Sequence, residues 1–91
     1  MIKPRFNVTT GEFELAGDDW ELKYNVTTGK FHFAPPNAQL AYNVTTGKYE
    51  LKPPDSRPTY NVPGGRFEMA PAGWKPKYNI VTGEYELVPD E

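Results

Sequence analysis

An 18-residue unit that occurs five times dominates this chain. The segment Tyr24–Gly29 reads Tyr-Asn-Val-Thr-Thr-Gly and recurs unchanged at Tyr42–Gly47. Altered versions begin at residues 6, 60 and 78, so the spacing is constant along the sequence. A fixed period is the signature of a repeat architecture, and repeat proteins usually offer a binding surface rather than a reaction pocket.

Two aromatic residues, one asparagine and one glycine are present in every unit. The leading aromatics are Phe6, Tyr24, Tyr42, Tyr60 and Tyr78, and the turn asparagines that follow them are Asn7, Asn25, Asn43, Asn61 and Asn79. The turn glycines are Gly11, Gly29, Gly47, Gly65 and Gly83, and the closing aromatics are Phe13, Phe31, Tyr49, Phe67 and Tyr85. Glycine accepts a positive φ, and an asparagine side chain bonds nearby backbone N–H groups. The spacing therefore predicts a β-hairpin in which the two aromatics face each other.

The segment Tyr24–Phe31 resembles chignolin, a designed mini-hairpin with the pattern Tyr-Asp-x-x-Thr-Gly-x-Trp. Asparagine stands here for the aspartate and phenylalanine for the tryptophan. The resemblance covers this segment of each unit and implies a local hairpin only. The middle hairpin of WW domains has a similar turn, but the second and third units lack the tryptophans that the WW pattern requires on either side.

The repeat predicts an all-β fold with one repeat domain over residues 1–91. Its units span about 2–16, 20–34, 38–52, 56–70 and 74–88. The four-residue links between them are short enough to be tight turns: Gly17–Trp20, Pro35–Ala38, Pro53–Ser56 and Pro71–Trp74. If consecutive hairpins also pair, the result is an antiparallel meander of about ten short strands. Pro58 and Pro76 lack the N–H that such pairing needs. A small barrel or a hairpin β-solenoid, similar to the choline-binding repeats of cell-wall proteins, is the alternative.

Strand alternation places the leading and closing aromatics on one face of the predicted sheet. The other face carries the strand glutamates, Glu14, Glu50, Glu68 and Glu86, with His32 in the equivalent place of the second unit. We expect this second face to be polar and solvated. The aromatic row needs a cover, since large exposed apolar patches mark interaction sites. The sheet could curl around it, a second copy could stack on it, or another molecule could bind it.

Composition argues against several classes of function. The chain has no cysteine and only one histidine, His32, which makes a transition-metal site improbable. A net charge of −2 gives no reason to expect nucleic acid. No apolar run is long enough to span a membrane, and Met1–Pro4 lacks the pattern of a signal peptide, so no compartment is indicated. Ser56 is the only serine, and the strand glutamates are duplicates of one position, so we expect neither an enzyme nor a cofactor.

The function predicted is a non-enzymatic structural or protein-binding module, which uses the aromatic row for self-assembly or partner binding. A phage particle, a fibre and a viral protein that binds a host protein are the settings considered, and open edge strands could extend into a filament. The predicted partner-binding residues are Trp20, Trp74, Tyr24, Tyr42, Tyr49, Tyr60, Tyr78 and Tyr85. The alternative is a carbohydrate- or cell-wall-binding module that stacks sugars on the same rings. The two tryptophans could instead cap the ends of the aromatic row.

Three Asn-Val-Thr triplets are possible N-glycosylation sites, at Asn7, Asn25 and Asn43. A glycosylated fibre is a further hypothesis built on them. The fourth and fifth units keep the asparagine but have Pro63 and Val81 in place of the threonine. The turn therefore explains the asparagine better than a glycan does.

Overall fold

The computed structural model describes residues 1–90 and is all-β, with ten five-residue strands. In chain order they are β1 (Lys3–Asn7), β2 (Glu12–Ala16), β3 (Glu21–Asn25), β4 (Lys30–Ala34), β5 (Gln39–Asn43), β6 (Lys48–Lys52), β7 (Arg57–Asn61), β8 (Arg66–Ala70), β9 (Lys75–Asn79) and β10 (Glu84–Val88). Each odd-numbered strand pairs antiparallel with the strand that follows it. The predicted tandem of five hairpins is confirmed.

The geometry within each hairpin also follows the prediction. Every leading aromatic lies opposite its closing aromatic, as Tyr42 does opposite Tyr49. The two ring centroids are 5.0 to 5.1 Å apart in all five units. The turn glycines have φ between 69° and 80°, a region that residues with a Cβ rarely adopt. The N–H of Gly47 donates to the Asn43 carbonyl at 2.8 Å, and the Asn43 Oδ1 accepts the Thr45 N–H at 3.0 Å.

The strands follow one another up and down, as in a meander, but no ladder joins one hairpin to the next. Each hairpin is a separate two-stranded sheet, so the predicted pairing between consecutive hairpins is not formed among residues 1–90. The four links are tight turns as predicted, with N–H donors at Trp20, Ala38, Ser56 and Trp74 bonding the carbonyl three residues earlier. Side chains replace the missing ladder.

The turn asparagines tie the five hairpins into a closed ring. Each side-chain Nδ2 donates to the carbonyl of the closing aromatic in the next hairpin: Asn7 to Phe31, Asn25 to Tyr49, Asn43 to Phe67 and Asn61 to Tyr85. Asn79 in the fifth hairpin reaches back to the Phe13 carbonyl in the first, at 3.3 Å. The closing strands β2, β4, β6, β8 and β10 contact one another in this order, and β10 contacts β2. The ring extends 28 × 28 × 20 Å.

The strand glutamates also join neighbouring hairpins, in place of the hydrogen bonds that paired strands would form. Glu14 Oε1 accepts the Phe33 N–H of the next hairpin at 3.1 Å. Glu50 and Glu68 accept the N–H groups of Met69 and Leu87 in the same way. The Leu15 N–H bonds Glu86, which closes the ring a second time. Four closing strands, β2, β4, β8 and β10, thus have an N–H bonded to a glutamate of a neighbouring hairpin, whereas His32 stands in place of the glutamate that would reach β6. These bonds occupy strand edges that would otherwise invite unwanted pairing.

This arrangement explains how Pro58 and Pro76 can lie in strands although they lack a backbone N–H. The leading strand of each hairpin has no ladder partner on its other side, so Pro58 and Pro76 withhold no N–H that a neighbouring strand needs. Both lie at their expected register positions, Pro58 opposite Met69 and Pro76 opposite Leu87.

The prediction of which face is solvated is wrong. The face with the strand glutamates packs against the next hairpin, and the turn asparagines on it are only 0 to 3% exposed. The aromatics point outwards and are 36 to 53% exposed. Arg5 lies opposite Glu14 as expected, but its guanidinium donates to the carbonyls of Gly17 and Trp20 instead. The turn asparagines are buried because each satisfies its own turn and the backbone of a neighbouring hairpin. The aromatic face is buried only at its other end, at Leu15, Met69 and Leu87.

Candidate functional site

The leading and closing aromatics form the aromatic flank, an outer surface of five equivalent patches. The predicted single row does not form, because the flank rings pair within their hairpins and make no ring contact between hairpins in the part of the chain described. All six predicted tyrosines lie in this flank. Tyr42 pairs with Tyr49 and Tyr78 with Tyr85, whereas Tyr24 and Tyr60 pair with phenylalanines.

Sequence reasoning missed a second set of exposed apolar side chains. One aliphatic residue stands at the tip of every turn: Val8, Val26, Val44, Val62 and Ile80. They are 68 to 79% exposed. Their position directly after each turn asparagine is the signal that could have revealed them, since an apolar residue at a turn tip has no core to enter.

The two tryptophans meet each other rather than the aromatic flank. Trp20 and Trp74 belong to the first and fourth links, yet their rings stack with centroids 5.9 Å apart and planes at 25°. Trp20 packs against a small core of Ile2, Leu15 and Val88. One face of each indole is therefore occupied, which leaves less ring surface for a ligand than two isolated tryptophans would.

The closing strands surround an axial cavity of about 500 Å³. Threonines of three turns, Thr28, Thr46 and Thr82, line one end, and Trp20 lines the end near the links. The four strand glutamates and His32 line its middle, together with apolar side chains such as Leu51 and Leu87. Ser56 is not among the lining residues, so the structure does not bring it to His32.

Each strand glutamate accepts the Nδ2 hydrogen of its own turn asparagine. The Nδ2–Oε2 distances are 2.8 to 3.1 Å for the pairs Asn7–Glu14, Asn43–Glu50, Asn61–Glu68 and Asn79–Glu86. In the second hairpin, His32 replaces the glutamate and lies 3.1 Å from Glu14 through its Nδ1. Arg66 lies 3.2 Å from Glu68. Within residues 1–90, neither Glu50 nor Glu86 forms an ion pair.

Glu14 and Glu86 differ in pKa because only Glu14 has a cationic neighbour, His32. Burial alone would raise the pKa of Glu14, but hydrogen bonds from His32 and Asn7, the charge of His32 and the Phe33 N–H together lower it below the ordinary 4.5. Burial raises the pKa of Glu86 above 4.5, and the negative charges of Glu68 and Glu14 add to this, against opposing hydrogen bonds from Asn79 and Leu15.

We therefore expect Glu14 and Glu86 to titrate on opposite sides of pH 4.5. The ionised Glu14 favours the fold, so its contribution is present above its unfolded pKa and lost as the pH falls. The protonated Glu86 favours the fold, so its contribution is present at low pH and lost as the pH rises through its folded-state pKa. A ¹³C carboxyl NMR titration measures both midpoints. His32→Ala should raise the midpoint of Glu14, and equal midpoints in the unaltered protein would contradict the assignment.

The possible glycosylation sites lie in the interior of the ring. Asn7, Asn25 and Asn43 are buried, and their Nδ2 atoms donate to the neighbouring hairpin. A glycan would attach to that same nitrogen, so attachment would require these bonds to break. The predicted role of the asparagine in the turn is confirmed, and the structure adds its role between hairpins.

Comparison with known proteins adds no relative: no protein-family model, curated protein or solved structure matches this chain. Among residues 1–90, no three acidic, histidine or cysteine side chains lie close enough to hold a metal ion. That same part of the chain has no helix with the length and apolar character needed to cross a membrane.

Proposed function

We propose that this chain is a non-enzymatic protein-binding module whose contact surface is the aromatic flank. The observation that carries the proposal is the exposure of all ten leading and closing aromatics, at 36 to 53%, while the turn asparagines are buried. Tyrosine and phenylalanine are enriched in protein interfaces, where they bury much area at low entropic cost.

The chemistry of the flank favours an apolar protein surface over a sugar. On this face of each hairpin the position two residues before the leading aromatic is also apolar, for example Leu40 before Tyr42. Apart from the tyrosine hydroxyls, the strands offer no hydrogen-bonding side chain there, and sugar sites need several such groups. Five equivalent patches also allow multivalent contact, which raises apparent affinity without any stronger single contact.

Self-assembly is the case in which the partner is a second copy of this chain. Sedimentation velocity from 1 µM upwards distinguishes a monomer from an assembly. Photo-crosslinking tests the surface directly: p-benzoylphenylalanine at Tyr42 keeps an aromatic ring in the pair and should crosslink the partner in native extract, or a second copy. The matched control carries the same group at Asp55, an exposed link residue outside the flank.

A partner identified in this way should then bind the unaltered protein in purified form. We expect replacement of both Tyr42 and Tyr49 by threonine to weaken that binding at least tenfold, with the fold checked by circular dichroism. A monomer that yields no flank-specific crosslink from Tyr42 or Tyr78 would remove the basis of the proposal.

The carbohydrate-binding alternative rests on the exposed tyrosines, because Trp20 and Trp74 stack on each other. A glycan array probed with the unaltered protein and with the Tyr42→Thr/Tyr49→Thr variant tests this alternative, and Trp74→Ala is the control that keeps every flank tyrosine. Glycan retention by the unaltered protein that falls in the tyrosine variant would favour the alternative over protein binding.

A further inference from the structure

We propose that the axial cavity binds a short aliphatic diamine, held between the carboxylates of Glu50 and Glu86. These two side chains line the cavity and have no cationic partner among residues 1–90. The other two strand glutamates are already paired, Glu14 with His32 and Glu68 with Arg66. Three closing aromatics, Phe13, Tyr49 and Phe67, also line the cavity. The proposed contacts are made by the carboxylates, so the diamine proposal does not depend on the protein-binding proposal.

The cavity has the size and lining of a small-molecule site. Its volume of about 500 Å³ lies in the range typical of ligand pockets, which are mostly apolar with a few convergent polar groups. Leu15, Leu51 and Leu87 supply aliphatic wall, and the Trp20 ring lies at the link end. A methylene chain would contact these walls while its ends reach the carboxylates.

The charge of the lining favours a cation. Besides the four strand glutamates, Glu12 and Glu84 line the cavity, whereas its only Lys or Arg side chains in the described residues are Lys48, Lys52 and Arg66. The carboxylates also influence one another, since the charges of Glu68 and Glu14 help to raise the pKa of Glu86. A bound ammonium group would relieve this repulsion and favour the ionised form of Glu86.

The placement of the two unpaired carboxylates favours a diamine over a single metal ion. Glu50 belongs to the third hairpin and Glu86 to the fifth, so they approach the axis from different sides of the ring. No three acidic or histidine side chains in the described region are close enough to share a metal ion. Each carboxylate accepts one bond from an asparagine and one from a backbone N–H, which leaves lone pairs for an ammonium donor.

Entry from the turn end is consistent with the side chains found there. Thr28, Thr46 and Thr82 line that end with small polar groups, and all three are exposed. The link end is lined by Trp20, which is stacked on Trp74. A diamine would therefore enter past the threonines.

Isothermal titration calorimetry of the full chain with 1,3-diaminopropane, 1,4-diaminobutane and 1,5-diaminopentane tests the proposal, at constant ionic strength. We expect saturable binding with a preferred chain length, and at least tenfold weaker binding of butylamine. Glu50→Gln and Glu86→Gln should each weaken diamine binding at least tenfold. Glu21→Gln is the matched control, because it removes the same charge from an exposed residue outside the cavity.

A further variant keeps the test decisive if a glutamine variant fails to fold. Thr46→Arg adds bulk and positive charge at the turn end without touching the asparagine or glutamate ties, and it should also abolish binding. Diamine binding should shift the NMR signals of the Trp20 indole N–H and the Leu51 amide. The proposal is overturned if no diamine binds at millimolar concentration, if chain length and butylamine make no difference, or if Glu21→Gln weakens binding as much as Glu50→Gln.

Discussion

Replacing Asn43 with alanine should destabilise the protein by about 3 to 5 kcal/mol, because the Phe67 carbonyl loses its side-chain donor and the Glu50 carboxylate loses one of its two donors. The turn also loses the Oδ1 acceptor that bonds Thr45. For a chain of this length, a loss of that size lowers the melting temperature by roughly 15 °C or more. Thermal and urea unfolding followed by circular dichroism measure it.

Asn25→Ala is the matched control for this substitution. Asn25 makes the same bonds within its turn and the same bond to the next hairpin, at the Tyr49 carbonyl. His32 stands in place of its glutamate, so no carboxylate loses a donor in this variant. We expect the loss to be smaller than for Asn43→Ala by about 1 to 2 kcal/mol. Equal losses would show that the Asn–Glu bond contributes nothing to stability.

A chain that ends at Gly73, and so lacks the fifth hairpin, should not form the folded monomer. Without β9 and β10, Asn61 loses its acceptor, the Tyr85 carbonyl, and Glu68 loses its donor, the Leu87 N–H. On the other side of the gap, the Phe13 carbonyl loses Asn79 and the Leu15 side chain loses Val88. Two interfaces out of five disappear, and the remaining core is too small to compensate. Amide exchange and circular dichroism should show loss of cooperative structure.

Circular permutation is the control that separates ring closure from chain continuity. Ile2 and Val88 lie in one cluster, so a short linker can connect the two ends of the chain, and new ends can be opened in the Pro53–Ser56 link. This permutant keeps all five hairpins, and we expect it to fold with a melting temperature near that of the original chain. Addition of a peptide of residues 74–91 should also restore structure to the shortened chain. A shortened chain that folds cooperatively alone would contradict the importance of closure.

The sequence alone determined the local structure. The spacing of asparagine, glycine and two aromatics specified each hairpin, because a positive φ at Gly47 and a cross-strand pair such as Tyr42–Tyr49 depend only on residues close in the chain. The tight links followed from their length and composition in the same way. These interactions act over a few residues, so they can be derived without knowing where the other hairpins lie.

Only the tertiary structure decided how the hairpins meet and which face is buried. The bond from Asn79 to the Phe13 carbonyl spans 66 residues, and no local pattern reports it. Alternation identified the two faces correctly, but polarity did not reveal that the turn asparagines are buried while the paired aromatics stay exposed. The asparagine side chains are buried, and the glutamate side chains partly buried, because they satisfy the backbone edge of a neighbouring hairpin, which is worth more than their hydration. That neighbour exists only once the ring has closed.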